Sequence, residues 1–487
     1  MAKSKKRKLN SVVITAAKVA EPDKDEKTGL WVGGLLHVGD LEVVVDTLQL
    51  LAAHPDLIST KPIKGLRTAV HDYLRVANDH VNPGSSLSAR ISAALIDQRH
   101  TDALVLLSEM RIRRQEVKLG SLQRWIRECD AVVSPEMSPL EAAAVWQVLD
   151  AILRTTYPEW DDTGATSSQR IDSVKGVFKP HVTGKNVRWF PPFRVPQDSP
   201  ILPHQFTPTL DTAQAIASAA ALLIKPLHVT PALQRKPPNR HPAIVYYSPP
   251  STFPLASNLE RKKSPCQKHS VEGVPGAFVI SNVLEPAECQ ALVLAAELVG
   301  MQPDEPIEGS AAAKSSVLAH NLIWLADEPF LDILYNRIVA FLPKIIHGGA
   351  VRGINARFRL YRYRVGALYR PHIDGAWPRS ALDTSNDPPA YIYDSDPSVY
   401  SRLTLIIYLN DDFEGGATTF FLPSTTEGVL DARPVQPQCG SVCVFPHGST
   451  HGSLLHEGSG VVGDGIKYII RTEVLYEIHC DQRESTV

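Results

Sequence analysis

Leu360–Gly375, LYRYRVGALYRPHIDG, is the stretch on which the reading of this chain turns. Its first half reads as an extended segment and its end carries His372-Ile-Asp374. Residues two apart on a strand point to the same side, so His372 and Asp374 can share one face of a sheet. Downstream come His456, in LLHEG, and the basic strand-like run Lys467-Tyr-Ile-Ile-Arg471. Two imidazoles and one carboxylate can hold iron(II) on one face and leave the opposite positions open. A cation beyond them can hold the far carboxylate of a bidentate acid. In this reading His456 reaches the site from a strand of the opposite sheet.

His-x-Asp alone carries little weight, because the chain contains it four times, at His54–Asp56, His100–Asp102, His372–Asp374 and His479–Asp481. The first two fall at expected helix ends, where aspartate caps, and the last has no ligand after it. Only His372–Asp374 lies among strands with a later histidine and a basic strand behind it. His447 and His451, in FPHGSTHGSLLHEG, are rival third ligands.

Around this stretch the C-terminal block is rich in strands. GAFVISNVL (276–284), INARFRLYRYR (354–364), SRLTLIIYLND (401–411), ATTFFLP (417–423), GSVCVFP (440–446) and IKYIIRTEVLYEI (466–478) are separated by glycine, proline and acidic turns. That pattern fits a β-sandwich or jelly-roll barrel. EPAECQALVLAAELVG (285–300) and FLDILYNRIVAFLP (330–343) read as helices flanking its outer face. Toward the N-terminus, residues 29–157 show apolar positions at helical spacing and form an expected helical domain. Residues 158–273 are dense in proline and read as linker or wrapping structure, with one alanine-rich helix near Asp211–Lys225. Residues 1–28 read as a disordered basic tail, in which Lys5-Lys6-Arg7-Lys8 is either a nuclear address or a solvated charge run. The expected architecture is α+β and multidomain, with the barrel domain at 274–480 and a short tail at 481–487.

Among 487 residues, 50 basic and 52 acidic side chains give a formal charge of −2, so no global field calls for nucleic acid or acidic lipid. No apolar run is long enough to span a bilayer. The 6 cysteines form no disulfide framework, and Cys439 and Cys443 read as ordinary strand residues. An intracellular setting, cytoplasm or nucleus, follows as the expectation.

Three segments, in order, resemble one family. Arg362–Gly375 (RYRVGALYRPHIDG), Arg402–Phe421 (RLTLIIYLNDDFEGGATTFF) and Leu454–Tyr476 (LLHEGSGVVGDGIKYIIRTEVLY) look like the motifs of the 2-oxoglutarate- and iron(II)-dependent dioxygenases, in the prolyl 4-hydroxylase-like branch. The resemblance covers about 274–480 and implies a double-stranded β-helix (jelly-roll). It implies that His372, Asp374 and His456 ligate iron and act as the catalytic centre. Lys467 would pair with the distal carboxylate of 2-oxoglutarate, and Tyr363 and Tyr408 match positions that hydrogen-bond this co-substrate. The family's basic residue usually stands about ten positions after the distal histidine. Here Lys467 stands at eleven, so Arg471, farther along the same strand face, is the alternative anchor. Ascorbate is the reductant such enzymes imply, and succinate and carbon dioxide the co-products.

The expected function is hydroxylation of a protein, with a prolyl residue as the default site, or of a small molecule. The paired arginines typical of nucleic-acid demethylases of this fold are absent after His456. Trp377–Tyr400, a long polar insertion, reads as a lid or a surface loop, and its acids Asp383, Asp387, Asp394 and Asp396 would tolerate a basic substrate. A reading from another class is a non-catalytic scaffold that binds a protein partner through the helical N-terminal region.

Overall fold

Alternation along Arg357–Tyr363 sets the layering: Phe358 and Leu360 turn one way, and Tyr361 and Tyr363 the other. The structure, a computed structural model, describes residues 31–32, 36–58, 60–81, 86–129, 131, 139–156, 181–183, 186–196, 225–230, 243–248, 265–303, 319–385, 389–449 and 451–478. The basic tail, the helix expected near Asp211–Lys225, and His479–Asp481 lie essentially outside these residues.

The chain forms two compact units, residues 1–85 and 86–487. In the first, α1 (Val38–Ala53) is capped by the His37 ring, which accepts from the Gly39 N–H, and α2 covers Lys64–Val81. The α1 sequence VGDLEVVVDTLQLLAA is apolar on most sides, yet Leu51 is its one buried residue.

In the second unit, α3 (Leu87–Ile96), α4 (His100–Ile112), α5 (Leu119–Cys129) and α6 (Pro139–Arg154) precede the sheets, and α7 (Pro286–Val299) and α8 (Glu328–Ile338) are inserted among them. Capping residues fix several starts. Ser86 accepts from the Ala89 N–H, Glu285 and Glu288 form a reciprocal capping box, and Asp327 accepts from the Phe330 N–H.

In chain order the strands used below are β1 (His181–Thr183), β2 (Val187–Trp189), β3 (Lys225–Thr230), β4 (Ala243–Tyr247), β5 (Gln267–Ser270), β6 (Phe278–Ser281), β7 (His320–Leu325) and β8 (Arg357–Tyr363). They continue as β9 (Tyr369–His372), β10 (Val399–Tyr408), β11 (Thr418–Pro423), β12 (Leu430–Val435), β13 (Val442–Pro446), β14 (Leu455–Gly458) and β15 (Lys467–Glu477). The large sheet runs β3-β4-β7-β8-β15-β10-β13-β6-β5, and the small one β9-β14-β11-β12-β2-β1. All these pairs are antiparallel except β4 with β7 and β2 with β12.

Three apolar clusters fill the layers. Tyr361, Tyr363, Ile406, Tyr408, Phe420 and Phe445 pack between the two sheets. The outer face of the large sheet, with Phe358, Leu405 and Val444, is covered by Leu292 and Val293 of α7 and by Phe330 and Leu334 of α8, as the sequence led us to expect. The outer face of the small sheet offers Ile373, Phe421, Leu430 and Leu455 to α3–α6, with the Trp146 ring tilted against Phe421 at 5.1 Å.

That last contact changes the expected organisation. Instead of one helical body over 29–157, the helices from residue 87 onward share a core with the small sheet. A sheet face carrying Phe421 and Leu455 must be covered by another apolar layer, and α3–α6 supply it. The proline-rich middle also contributes to the sheets: β2 extends the small sheet and β3 and β4 extend the large one. Proline is tolerated at such edge positions because no ladder bond is required of it on the open side.

Candidate metal centre

His372 closes β9, and Asp374 follows it in a loop. The register of β9 and β14 sets His372 directly opposite His456, with ring centroids 4.2 Å apart. The two histidines thus come from neighbouring strands of the small sheet, which corrects the expectation that His456 faces His372 from the opposite sheet. Directly paired strand residues hold their Cβ atoms about 4.5–5.5 Å apart, whereas facing sheets stand about 10 Å apart. Cross-strand pairing is the tighter way to bring two rings to one point.

Ligand atoms of His372, Asp374 and His456 all lie within 4.8 Å of one another. His372 Nε2 is 3.5 Å from Asp374 Oδ1, and His456 Nε2 is 3.7 Å from Asp374 Oδ2. The other ring nitrogens are engaged at the back: His372 Nδ1 with the Arg370 carbonyl at 2.7 Å and His456 Nδ1 with the Leu454 carbonyl at 3.0 Å. Donation from Nδ1–H to a carbonyl leaves the Nε2 lone pair free for the centre. Burial, then the neighbouring His372, pushes His456 down to about 3, so its imidazole is neutral at neutral pH. Burial would raise the Asp374 carboxyl, but the Arg471 guanidinium outweighs it and holds it well below the usual carboxylate range. An imidazole and carboxylate donor set suits a divalent ion, and the ligand atoms, up to 4.8 Å apart, would draw together to reach bonds of about 2.0–2.2 Å.

The rivals stand elsewhere. His447 is buried behind Asp374, between Ser401 and Thr404, and the His451 Nδ1 meets the Thr156 carbonyl at 2.8 Å. Neither joins the ligand cluster. Of the other His-x-Asp pairs, His54 ends α1, and Asp102 lies in the first turn of α4, paired with Arg99.

The inner face of β15 carries both candidate anchors. Arg471 Nη2 is 2.9 Å from Asp374 Oδ1 and its Nη1 is 2.8 Å from Glu473 Oε1. Glu473 in turn accepts from Asn355 Nδ2 at 3.0 Å. Arg471 is therefore engaged in holding the carboxylate of the centre. Lys467 is 1% exposed, donates to the Gly416 carbonyl at 2.6 Å, and lies 4.9 Å over the Tyr363 ring. Burial pulls it down to about 7, partly opposed by Glu457. Tyr408 is buried and donates to Thr418 Oγ1 at 2.8 Å. Burial raises its hydroxyl well above the usual tyrosine range. Lys467, Tyr363 and Tyr408 thus share the space between the sheets with the three-residue cluster. Gly416 is required by its φ of +62° and by the Phe413 ring, from which a Cβ there would stand 2.6 Å, with Lys467 Cδ next at 3.1 Å.

Two supports escaped the sequence reading. Gln123 Nε2 of α5 donates to the Ile373 carbonyl at 3.0 Å, between His372 and Asp374. Trp377–Tyr400, over its described residues, is a seated hairpin of Ala381–Asp383 and Ala390–Ile392. Leu382 and Tyr391 pack on Val245, Ile323 and Leu325, and Trp377 lies 4.2 Å under the Arg357 guanidinium. Its acids mostly serve local bonds, Asp383 to Ser385, Asp394 to Tyr400 and Asp396 to Ser398. Asp387 lies outside the described residues.

A family model described as the 2OG-Fe(II) oxygenase superfamily matches residues 358–472, a span that contains every member of the cluster. That segment is similar to the 2OG-Fe(II) oxygenases. No curated protein matches the chain. Among solved structures, a collagen prolyl hydroxylase of Paramecium bursaria Chlorella virus-1 is similar at 20% identity, covering 43% of this chain and 99% of its own, with a TM-score of 0.27. A prolyl-4-hydroxylase of Pseudomonas putida is similar at 16% identity (42% and 93% covered, TM-score 0.26). A Trichoplax adhaerens prolyl hydroxylase in complex with a hypoxia inducible factor peptide is similar at 14% identity (44% and 87% covered, TM-score 0.28). Similarity to the oxygenases implies iron(II) and 2-oxoglutarate as the working groups, and the donor set described above suits the first.

Proposed function

We propose that the chain is an iron(II)- and 2-oxoglutarate-dependent hydroxylase of the prolyl 4-hydroxylase-like branch, with His372, Asp374 and His456 as metal ligands. The observation that carries this reading is the convergence of the three ligand atoms within 4.8 Å inside a matched oxygenase segment. Two facing sheets with helices on their outer faces support a double-stranded β-helix for residues 274–480. Bound iron with 2-oxoglutarate would use dioxygen to decarboxylate the co-acid oxidatively, to succinate and carbon dioxide, one oxygen atom entering succinate and the other a substrate C–H bond.

The residues of the chain bind, orient and exclude water. Both histidines offer Nε2, and Asp374 offers one oxygen while Arg471 and Thr404 hold the carboxylate in place. Lys467 anchors the distal carboxylate of the co-acid, a role supported by its freedom from the Asp374 network that occupies Arg471. Tyr363 and Tyr408 wall the same space. The preferred substrate is a prolyl residue in a protein, with a small molecule as the alternative, and ascorbate serves as reductant. The exposed apolar side chains of α1, among them Val43, Val45 and Leu50, support a protein partner for the N-terminal helices. Among the described residues no helix is long and apolar enough to cross a membrane.

The test is succinate formation by the purified full chain with iron(II), 2-oxoglutarate and ascorbate. Slow uncoupled turnover is expected in the wild type, and at least a 100-fold loss in His372→Ala and in His456→Ala. Equal, background-level signals in all three would favour the non-catalytic scaffold. Full activity in His456→Ala would remove it from the ligand set.

A further inference from the structure

We propose that Ser401, His447 and Thr404 form a one-way hydrogen-bond relay that fixes the orientation of Asp374, with His447 held as the Nδ1–H tautomer. The proposal rests on the ligand reading above, and it concerns positioning residues, since none of the three joins the ligand cluster.

The direction of each link follows from the donors available. Read as a ligand, Asp374 is a carboxylate that can only accept, so Thr404 Oγ1, at 2.6 Å from Oδ2, must donate its single proton there. Its oxygen is then left to accept from His447 Nδ1, also 2.6 Å away. His447 is 2% exposed and both its nitrogens face hydroxyls rather than carboxylates, so the buried ring is neutral and its one proton is on Nδ1. Nε2 must then accept from Ser401 Oγ at 2.7 Å. The Ser401 oxygen in turn accepts from the Trp377 backbone N–H at 2.8 Å. Every proton in the series has one destination, and reversing any link leaves a buried polar atom without a partner.

Local backbone geometry makes the relay possible. Ser401 and Thr404 stand three apart on β10, so a regular strand would turn them to opposite faces. The ladder between β10 and β15 slips between Ser401 and Leu403, and this bulge returns both hydroxyls to one side. His447 follows β13 and is tied by its N–H to the Arg402 carbonyl at 3.0 Å. At its start the relay is attached to Trp377, the first residue of the inserted hairpin segment.

Two measurements on the full chain test this. In metal-free protein labelled with 15N-histidine, long-range 1H–15N correlation should give His447 an Nδ1–H pattern; an Nε2–H pattern overturns the relay. Cobalt(II) titration, followed by visible absorption under anaerobic conditions, should show Thr404→Val binding roughly tenfold or more weakly than wild type. Thr404→Ser, which keeps the hydroxyl, should bind within about threefold of wild type. Wild-type affinity in Thr404→Val, or an equal loss in Thr404→Ser, overturns the proposal. A wild type that binds no cobalt at all would instead sink the ligand reading, and the tautomer measurement still decides the relay. Should Thr404→Val fail to fold, the same tautomer measurement on the wild type stands in its place.

Discussion

At the scale of single residues, Lys467 holds an ammonium group where burial opposes charge, and its pKa falls to about 7. An anionic guest beside it restores the charge, so co-substrate affinity is linked to protonation. Below pH 7 the lysine is already charged; above it each bound 2-oxoglutarate must bring a proton, and KM should climb by up to about tenfold per pH unit. Lys467→Arg, whose guanidinium stays charged, should flatten that rise when KM is measured from pH 6 to 9. Stability moves the other way. The unfolded chain keeps this proton up to about 10.4 while the folded chain sheds it near 7, so this group's contribution to stability grows as pH rises between the two. Lys467→Ala should cost about 2–5 kcal/mol of co-substrate affinity, read as a raised KM with succinate as the product followed. The clustering of His372, Asp374 and His456 was legible in the sequence because these residues are chemically distinctive and occur in order. The supporting hydroxyls were not legible: Ser401 and Thr404 sit in SRLTLIIYLN as ordinary strand residues, and the bulge that gathers them leaves no mark in that pattern.

Among elements, the decisive contact is between the α3–α6 layer and the small sheet. Trp146 and Phe421 are both buried, and Trp189 meets the Phe421 ring edge-on at 6.3 Å. Phe421→Ala should lower stability by about 3–5 kcal/mol in urea denaturation through the cavity it leaves. Gln123→Ala removes the donor to the Ile373 carbonyl and leaves it unsatisfied, a cost of about 1–3 kcal/mol. Cobalt(II) affinity should fall with it, since His372 and Asp374 flank that carbonyl. Helical periodicity in 87–154 showed that helices exist there. It could not show what they cover, since an apolar helix face looks the same whether its partner is a helix or a sheet. Strand pairing was hidden for a similar reason. His372 and His456 are 84 positions apart, and nothing in that separation tells neighbouring strands from facing sheets. The wrapping strands β2, β3 and β4 lie in a stretch whose proline density argued for linker or extended structure rather than for strands of either sheet.

At the scale of the whole molecule, the matched oxygenase segment is less than a foldable piece. Residues 358–472 omit the α3–α6 layer, the α7–α8 pair and the strands β2 to β7. A chain trimmed to 265–487 should therefore be recovered mostly insoluble, with Phe421, Leu430 and Leu455 uncovered. One trimmed to 86–487 follows the division between the two compact units, and should keep wild-type succinate formation and melt in one calorimetric transition. The Gln123 bond to Ile373 gives this arrangement a practical edge. Anything that draws α5 away from the small sheet would loosen the proposed metal site from the rear, weakening it without competing with either co-acid or substrate.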